Sequence, residues 1–321
     1  MRRPADLPPE LAQRAAFAVG DARGAGVGRG RLAASDLAMP FRGSRMPARI
    51  EPSIHDLVQA YAVRMPERQF FSHSTSALLN GVPLPLHLEL DRRLHVSVLH
   101  GAPRPRVRGV IGHALERSRT QVLESGPIRM TDAATTWCQL APMLDLDDLV
   151  AAGDFIITGR MPVGGRNPMA SVERLRAAAE LHRGSVGAAR LREALELIRY
   201  GPLSRRESRL RLRMIRAGLP QPAINYTVRD ARLLGWEPML DLAYPRFRVG
   251  IEYEGDHHRD PKQFRVDVSR YERLYDVGWL TVRVTADDLP EHRTDAASDA
   301  LVTRIDARLR SRGWDGSPAG R

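Results

Sequence analysis

The chemistry available to this sequence lies mostly in a few acids. In DLAYPRFRVGIEYEGDHH, residues 241–258, Asp241, Glu252 and Glu254 stand among β-formers, and Asp256, His257 and His258 follow. A strand over 248–254 points Glu252 and Glu254 to one face and Val249, Ile251 and Tyr253 to the other. If the turn is the four residues Tyr244–Phe247, with Pro245 preset for its second position, Asp241 faces Gly250. It then shares the face of the two glutamates, diagonal to Glu252 at roughly 7–8 Å. A three-residue turn would put it on the other face.

A fourth acid comes from a helix. In SRRESRLRLRMIRAGLP, residues 204–220, Ser204 and Glu207 have the spacing of a capping box. Helical periodicity puts Glu207 with Leu203, Leu210 and Met214 on the face expected to be buried. Arg205, Arg206, Arg209, Arg213 and Arg216 fall opposite, with Arg211 the exception beside Glu207. An unpaired carboxylate on the buried stripe is costly. A capping role alone would also account for it.

Like charges about 7 Å apart repel by roughly 2–2.5 kcal/mol at an effective dielectric near 20. A divalent cation would relieve that repulsion. Carboxylates from a helix and two strands, with positions left for water and phosphate, suit Mg²⁺ or Mn²⁺.

The elements that must position these groups form an α/β chain, α+β overall. Residues 1–50 read as a winged helix-turn-helix-like unit: two short helical patterns broken at Gly24–Gly26, Arg29 and Arg31 near the start of the second, then a basic strand. A plain helical hairpin would show the same spacing. Residues 51–158 read as a middle α/β domain, with strands at RLHVSVLHG and VRGVIGHAL and helices begun near Ser74, Thr131 or Asp132, and Asp145. A Gly/Pro-rich linker and helices fill 159–202, and residues 203–310 hold the acids. His73, His95, His100 and His113 have no regular ligand spacing and sit on different elements, so they read as structural.

The chain has 321 residues and a net charge of +11, and among its 49 basic residues only Lys262 is lysine. Biased codon usage explains the arginine preference, but the positive balance favours polyanions, above all DNA. The single cysteine, Cys138, excludes an intramolecular disulfide and a C-x-x-C metal site. No apolar run is long enough for a membrane span, and the N-terminus lacks a signal-peptide core. A cytoplasmic protein is expected, with DNA as partner, no membrane partner, and a homodimer allowed.

The order Glu207, Asp241, Glu252-Tyr253-Glu254-Gly255 resembles the PD-(D/E)XK nuclease core, a restriction-endonuclease-like mixed sheet flanked by helices. The closer likeness is to the branch near the very-short-patch-repair endonuclease and to an uncharacterised actinobacterial family whose core reads like IEYEGDHH. An R-x-D-x-x-R helix and a G-W-x-x-x-R-V strand follow in that family, and here they read Arg265–Arg270 and Gly278–Val284. Residues 10–150 look more loosely like the winged-helix region of abortive-infection-type antitoxins.

The resemblance implies metal-dependent hydrolysis of DNA phosphodiesters, in repair or phage defence. Asp241 and Glu252 would be ligands of Mg²⁺ or Mn²⁺, with Glu207 the helix acid that orders metal or water. Glu254 replaces the family's catalytic lysine, and could bind a second metal. Lys262 lies on the next helix, and His257 or His258, with His258 the expected catalytic residue, would supply an acid or base near neutral pH. Arg206, Arg209 and Arg213, with Arg29 and Arg31, would hold the DNA backbone. The rival class is a non-catalytic DNA-binding regulator or antitoxin-type protein whose acids are relics.

Because arginine–phosphate contacts release counterions, DNA affinity should fall steeply from low to physiological salt when followed by fluorescence anisotropy. A flat profile would make the positive balance purely compositional.

Overall fold

The computed structural model describes residues 4–48, 51–159, 167–233, 235–254, 261–290 and 295–317. The fold is mixed α/β, with three sheets among the described residues. Two compact units divide the chain: Met1–Met143 with Glu173–Ala188, and Leu144–Val172 with Ala189–Arg321. Among the described residues no helix is long and apolar enough to cross a membrane.

The chain begins with α1 (Pro9–Ala12), β1 (Phe17–Ala18), α2 (Val19–Gly24), α3 (Arg29–Leu32), β2 (Leu37–Ala38) and β3 (Ser44–Pro47). The strands form an antiparallel sheet in the order β1-β3-β2. Gly26 ends α2 in the left-handed region at φ 82°, letting the Gly26 and Val27 N–H groups reach the Arg23 and Ala22 carbonyls. This Schellman arrangement is the glycine turn expected between the two helices.

Next come α4 (Ile54–Ala62), β4 (Phe70–Phe71), α5 (His73–Leu79), α6 (Leu86–Glu89), β5 (Leu94–Leu99), β6 (Val110–Leu115), β7 (Val122–Ser125), β8 (Ile128–Thr131) and α7 (Ala133–Leu140). The five strands make a mixed sheet in the order β6-β5-β4-β8-β7. Its core unites Ala16, Phe41 and Met46 with Leu57, Tyr61, Phe71, Leu94 and Val96, so residues 1–50 share a core with the middle segment. Residues 1–50 also keep a small core of their own, Leu11, Phe17, Ala22, Val27 and Leu32.

The last elements are α8 (Leu146–Thr158), α9 (Val172–Leu181), α10 (Ala188–Leu197), α11 (Arg205–Arg216), β9 (Ala223–Thr227), β10 (Met239–Tyr244), β11 (Val249–Tyr253), α12 (Pro261–Asp276), β12 (Leu280–Val284) and α13 (Asp295–Arg310). Four strands form a mixed sheet, β12-β11-β10-β9, antiparallel except for the β11–β12 pair. Leu210 and Met214 of α11 and Leu301, Ile305 and Leu309 of α13 pack with Leu242, Ile251 and Val282 of the sheet. A second core gathers Leu274 of α12 and Val277 just beyond it with Leu240, Ala243 and Trp279.

Helix α8, assigned from sequence to the middle domain, lies instead in the C-terminal unit, and charge explains why. Asp148 takes Arg205 and Arg209 at 2.8 Å each, and Asp147 pairs with Arg216. Asp154 and Arg211, both fully buried, meet at 3.1 Å. The Asp154 carboxylate also accepts the Ser208 hydroxyl at 2.8 Å and the Arg199 N–H at 2.6 Å. Burial still pushes its pKa up to about 6 against the pull of Arg211, and the Arg211 Nε and Nη1 atoms find no hydrogen-bond partner among the described residues.

Removing one member of a buried pair strands the other charge, at a cost of about 3–5 kcal/mol, whereas apolar replacement of both is often neutral or better. Asp154→Leu alone should therefore destabilise the protein more than Asp154→Leu with Arg211→Leu, as read by urea denaturation. Equal losses would mean that the charge pairing does not hold α8 to α11.

Candidate functional site

The hairpin that carries the acids turns one residue later than the sequence suggests. Tyr244 pairs with Val249 and Leu242 with Ile251, so the loop is 245–248. Pro245–Phe247 form a 3₁₀ turn, and Arg248 adopts the left-handed conformation (φ 51°, ψ 46°), donating its N–H to the Pro245 carbonyl at 3.1 Å. Continued one step, this register sets Asp241 opposite Glu252 and not opposite Gly250. Asp241 keeps the expected face and moves closer to Glu252. Its Oδ2 accepts the Tyr253 N–H at 2.8 Å.

Glu252 is only 4% exposed. Arg270 of α12 donates to its Oε1 at 2.5 Å, and the Tyr271 hydroxyl lies 2.9 Å from its Oε2. The same hydroxyl lies 2.9 Å from Glu254 Oε1, which shows that the two glutamates share a face. Glu254 is forked by the Nε and Nη2 of Arg283 on β12. The Arg283 guanidinium lies 5.2 Å from the centre of the Tyr271 ring.

A tyrosine hydroxyl has one hydrogen, so it can donate to only one of two glutamate oxygens at a time. A proton on Glu252 would resolve the conflict, and burial favours it. Burial pushes the Glu252 pKa up to about 7, with Arg270 and Tyr271 pulling down and the charges of Asp241 and Glu254 adding to the rise. Burial raises Asp241 as well, opposed by the Tyr253 N–H and Arg270.

Glu207 is buried at the start of α11, where its Oε2 accepts the Leu203 N–H at 2.8 Å and its own N–H reaches Ser204 Oγ at 3.2 Å. The capping role is thus realised. Among the described residues, the acids Glu207, Asp241, Glu252 and Glu254 form no group of three whose ligand atoms all lie within 4.8 Å of one another. His257 and His258 fall outside the described residues, as does the Lys262 side chain.

The arginines expected on an open face of α11 are engaged within the unit. Arg209 pairs with Asp148 at 2.8 Å and Asp145 at 3.5 Å, and Arg213 with Asp299 at 2.5 Å. Arg206 donates to the Leu289 carbonyl at 2.5 Å and lies over the Tyr253 ring. In the N-terminal unit Arg31 pairs with Asp36 at 2.8 Å, whereas Arg29 is exposed. Contacts with α8, with Asp299 of α13 and with the Leu289 carbonyl take up the α11 arginines expected on an open face.

The functional side chains that sequence reasoning left without a role are Arg270, Tyr271 and Arg283. Both arginines lie in the two stretches, RVDVSR and GWLTVRV, whose spacing follows the acids in order. The available signal was the need of buried strand acids for a counter-charge, which the protein's own guanidinium groups meet.

No family model matches this chain. Two uncharacterised proteins of Mycobacterium tuberculosis, MT2308 and Rv2248, are each 34% identical over 108 residues, 33% of this chain and 39% of theirs. The match thus spans well under half the length of these relatives. The crystal structure of the RV2827C protein from the same organism aligns with 69% of this chain and 86% of its own, at 14% identity and a TM-score of 0.35.

Glu252 generates a pH prediction. Its folded pKa of about 7 exceeds the ordinary 4.5, so the folded state holds the extra proton between these values. The contribution to stability is full below 4.5 and is lost as pH rises through about 7, by an amount of order 3 kcal/mol. Urea midpoints of wild type should fall from about pH 5 to about pH 8, and Glu252→Gln should remove much of that slope. An identical slope in the variant would show that Glu252 ionises normally.

Proposed function

We propose that the C-terminal unit is a metal-dependent DNA endonuclease of the PD-(D/E)XK kind, acting on phosphodiester bonds. The observation that carries this reading is the convergence of Asp241, Glu252 and Glu254 on neighbouring strands, with Glu252 buried and its ionisation suppressed. Hard oxygen donors with excess negative charge fit Mg²⁺ or Mn²⁺ in kind. Asp241 and Glu252 would hold the ion, which when bound supplies Lewis-acid polarisation and an activated water. Arg270 must release Glu252 for this, and Glu207 is fixed by its cap at the start of α11. Arg283, half exposed beside Glu254, takes the place of the missing lysine as the cation facing a phosphate. The helix–turn–helix and three-stranded sheet of the N-terminal segment are read as a winged-helix element, with Arg29 exposed to meet a DNA backbone.

The same ion pairs favour a second reading. Arg270 on Glu252 and Arg283 on Glu254 compensate the acids without any metal. In that case the chain is a DNA-binding regulator built on a decayed nuclease.

Nicking of supercoiled plasmid separates the two. Wild type should nick with Mg²⁺ or Mn²⁺ and stop with chelator, and Asp241→Ala and Glu252→Ala should each abolish cutting while leaving DNA affinity largely intact. Binding without any metal-dependent nicking would establish the regulator. Glu254→Gln should weaken the thermal stabilisation that Mn²⁺ confers on wild type, a gain of about 2.7 kcal/mol at a hundredfold excess over Kd.

A further inference from the structure

Three histidines that are far apart in sequence meet in the N-terminal unit. His73 opens α5 directly after β4, His95 lies in β5 and His113 in β6. The parallel β5–β6 register pairs His95 with Ile111 and Ser97 with His113, which puts both rings on one face as diagonal neighbours. The next strand over is β4, whose end delivers His73 to the same place. One nitrogen from each ring lies within 4.8 Å of one from the other two.

His95 Nδ1 and His113 Nε2 share a hydrogen bond at 3.0 Å. Two nitrogens on one tetrahedral ion, at about 2.0–2.1 Å from it, stand about 3.3 Å apart. His73 Nδ1 is held by Ser72 Oγ at 2.9 Å, and Ser72 Oγ by Ser97 Oγ at 2.6 Å. This chain orients the ring and leaves its Nε2 for a ligand, the outer-shell support usual for metal-binding imidazoles. The His95 backbone N–H is tied to Thr75 Oγ1 at 2.8 Å. His95 is buried, while His73 and His113 are partly exposed.

A second, independent observation is strain. His73 has φ 50°, a left-handed conformation unfavourable for a non-glycine residue, and Gln139 Oε1 holds its N–H at 2.9 Å. Strain of this kind persists where the surroundings over-determine a side chain's position. Here it holds the His73 ring against the other two, stacked on His113 with ring centres 3.9 Å and planes 20° apart, and 5.3 Å from His95.

We propose that His73, His95 and His113 form a three-histidine site for a divalent transition-metal ion of the Zn²⁺ class, with the fourth position open to water or a ligand. Imidazole nitrogens select such ions over Mg²⁺, which prefers oxygen. The site is chemically separate from the carboxylates of the C-terminal unit and does not depend on their function. The competing reading is that the three histidines are purely structural.

The test uses the full chain, stripped with chelator and dialysed against Zn²⁺. Wild type and Glu252→Gln should each retain about one equivalent, and Co²⁺ should give the intense visible bands of a low-coordinate nitrogen site. His73→Ala and His113→Gln, both at half-buried positions, should lose retention at least tenfold with an unchanged far-UV circular dichroism spectrum. No retained Zn²⁺ and no low-coordinate Co²⁺ bands in wild type would overturn the proposal. Equal retention in folded histidine variants would overturn it as well. Should a variant fail to fold, the wild-type Co²⁺ spectrum alone decides between nitrogen ligands and a six-coordinate oxygen set.

Discussion

Glu252 sits under a sheet with 4% of its surface exposed, and a carboxylate there must be paired or protonated. The topology of the C-terminal unit supplies both remedies. A parallel β11–β12 pair requires a crossover connection, and α12 is that connection. The crossover lays Arg270 and Tyr271 over Glu252, and the parallel register sets Arg283 beside it on β12, where it forks Glu254. Charge compensation and chain connectivity are therefore one arrangement. The rise in the Glu252 pKa that remains comes first from burial, with the charges of Asp241 and Glu254 adding to it.

The positive balance of the chain is a different matter from a positive surface. Helix α11 is among the most arginine-rich stretches, yet its Arg205, Arg209, Arg211 and Arg216 meet acids of α8, and Arg213 meets Asp299. Guanidinium groups suit this use, because their planar forks bind carboxylates at two points and remain charged when buried. The arginines of α11 act chiefly as fastenings between helices. A net charge of +11 thus overstates what this helix can offer to a phosphate backbone.

Much of the local structure was legible in the sequence, because it depends on neighbours. Asp132 and Asp145 cap the helices that follow them, Gly26 turns the chain, and the stripe of Glu207, Leu210 and Met214 is buried. The hairpin register was nearly right: the parity of the pairing held while the turn slid by one residue, because Arg248 accepts a left-handed backbone that is uncommon outside glycine and asparagine. Illegible from sequence was every relation across long separations. Nothing in the spacing tells that Asp148 and Asp154 answer Arg205 and Arg211, or that Arg270 and Arg283 return to Glu252 and Glu254.

The histidines show the same limit from the other side. Regular spacing is a signature of ligands on one helix or one loop, and its absence is uninformative when ligands come from adjacent strands. His95 and His113 are 18 residues apart in sequence and 3.0 Å apart in space, because parallel strands joined by a connection bring distant residues onto one face. A strained His73 completes the trio from the end of a third strand. The two clusters also differ in hardness, imidazole nitrogen in one unit and carboxylate oxygen in the other, so the two proposed sites would favour different classes of ion.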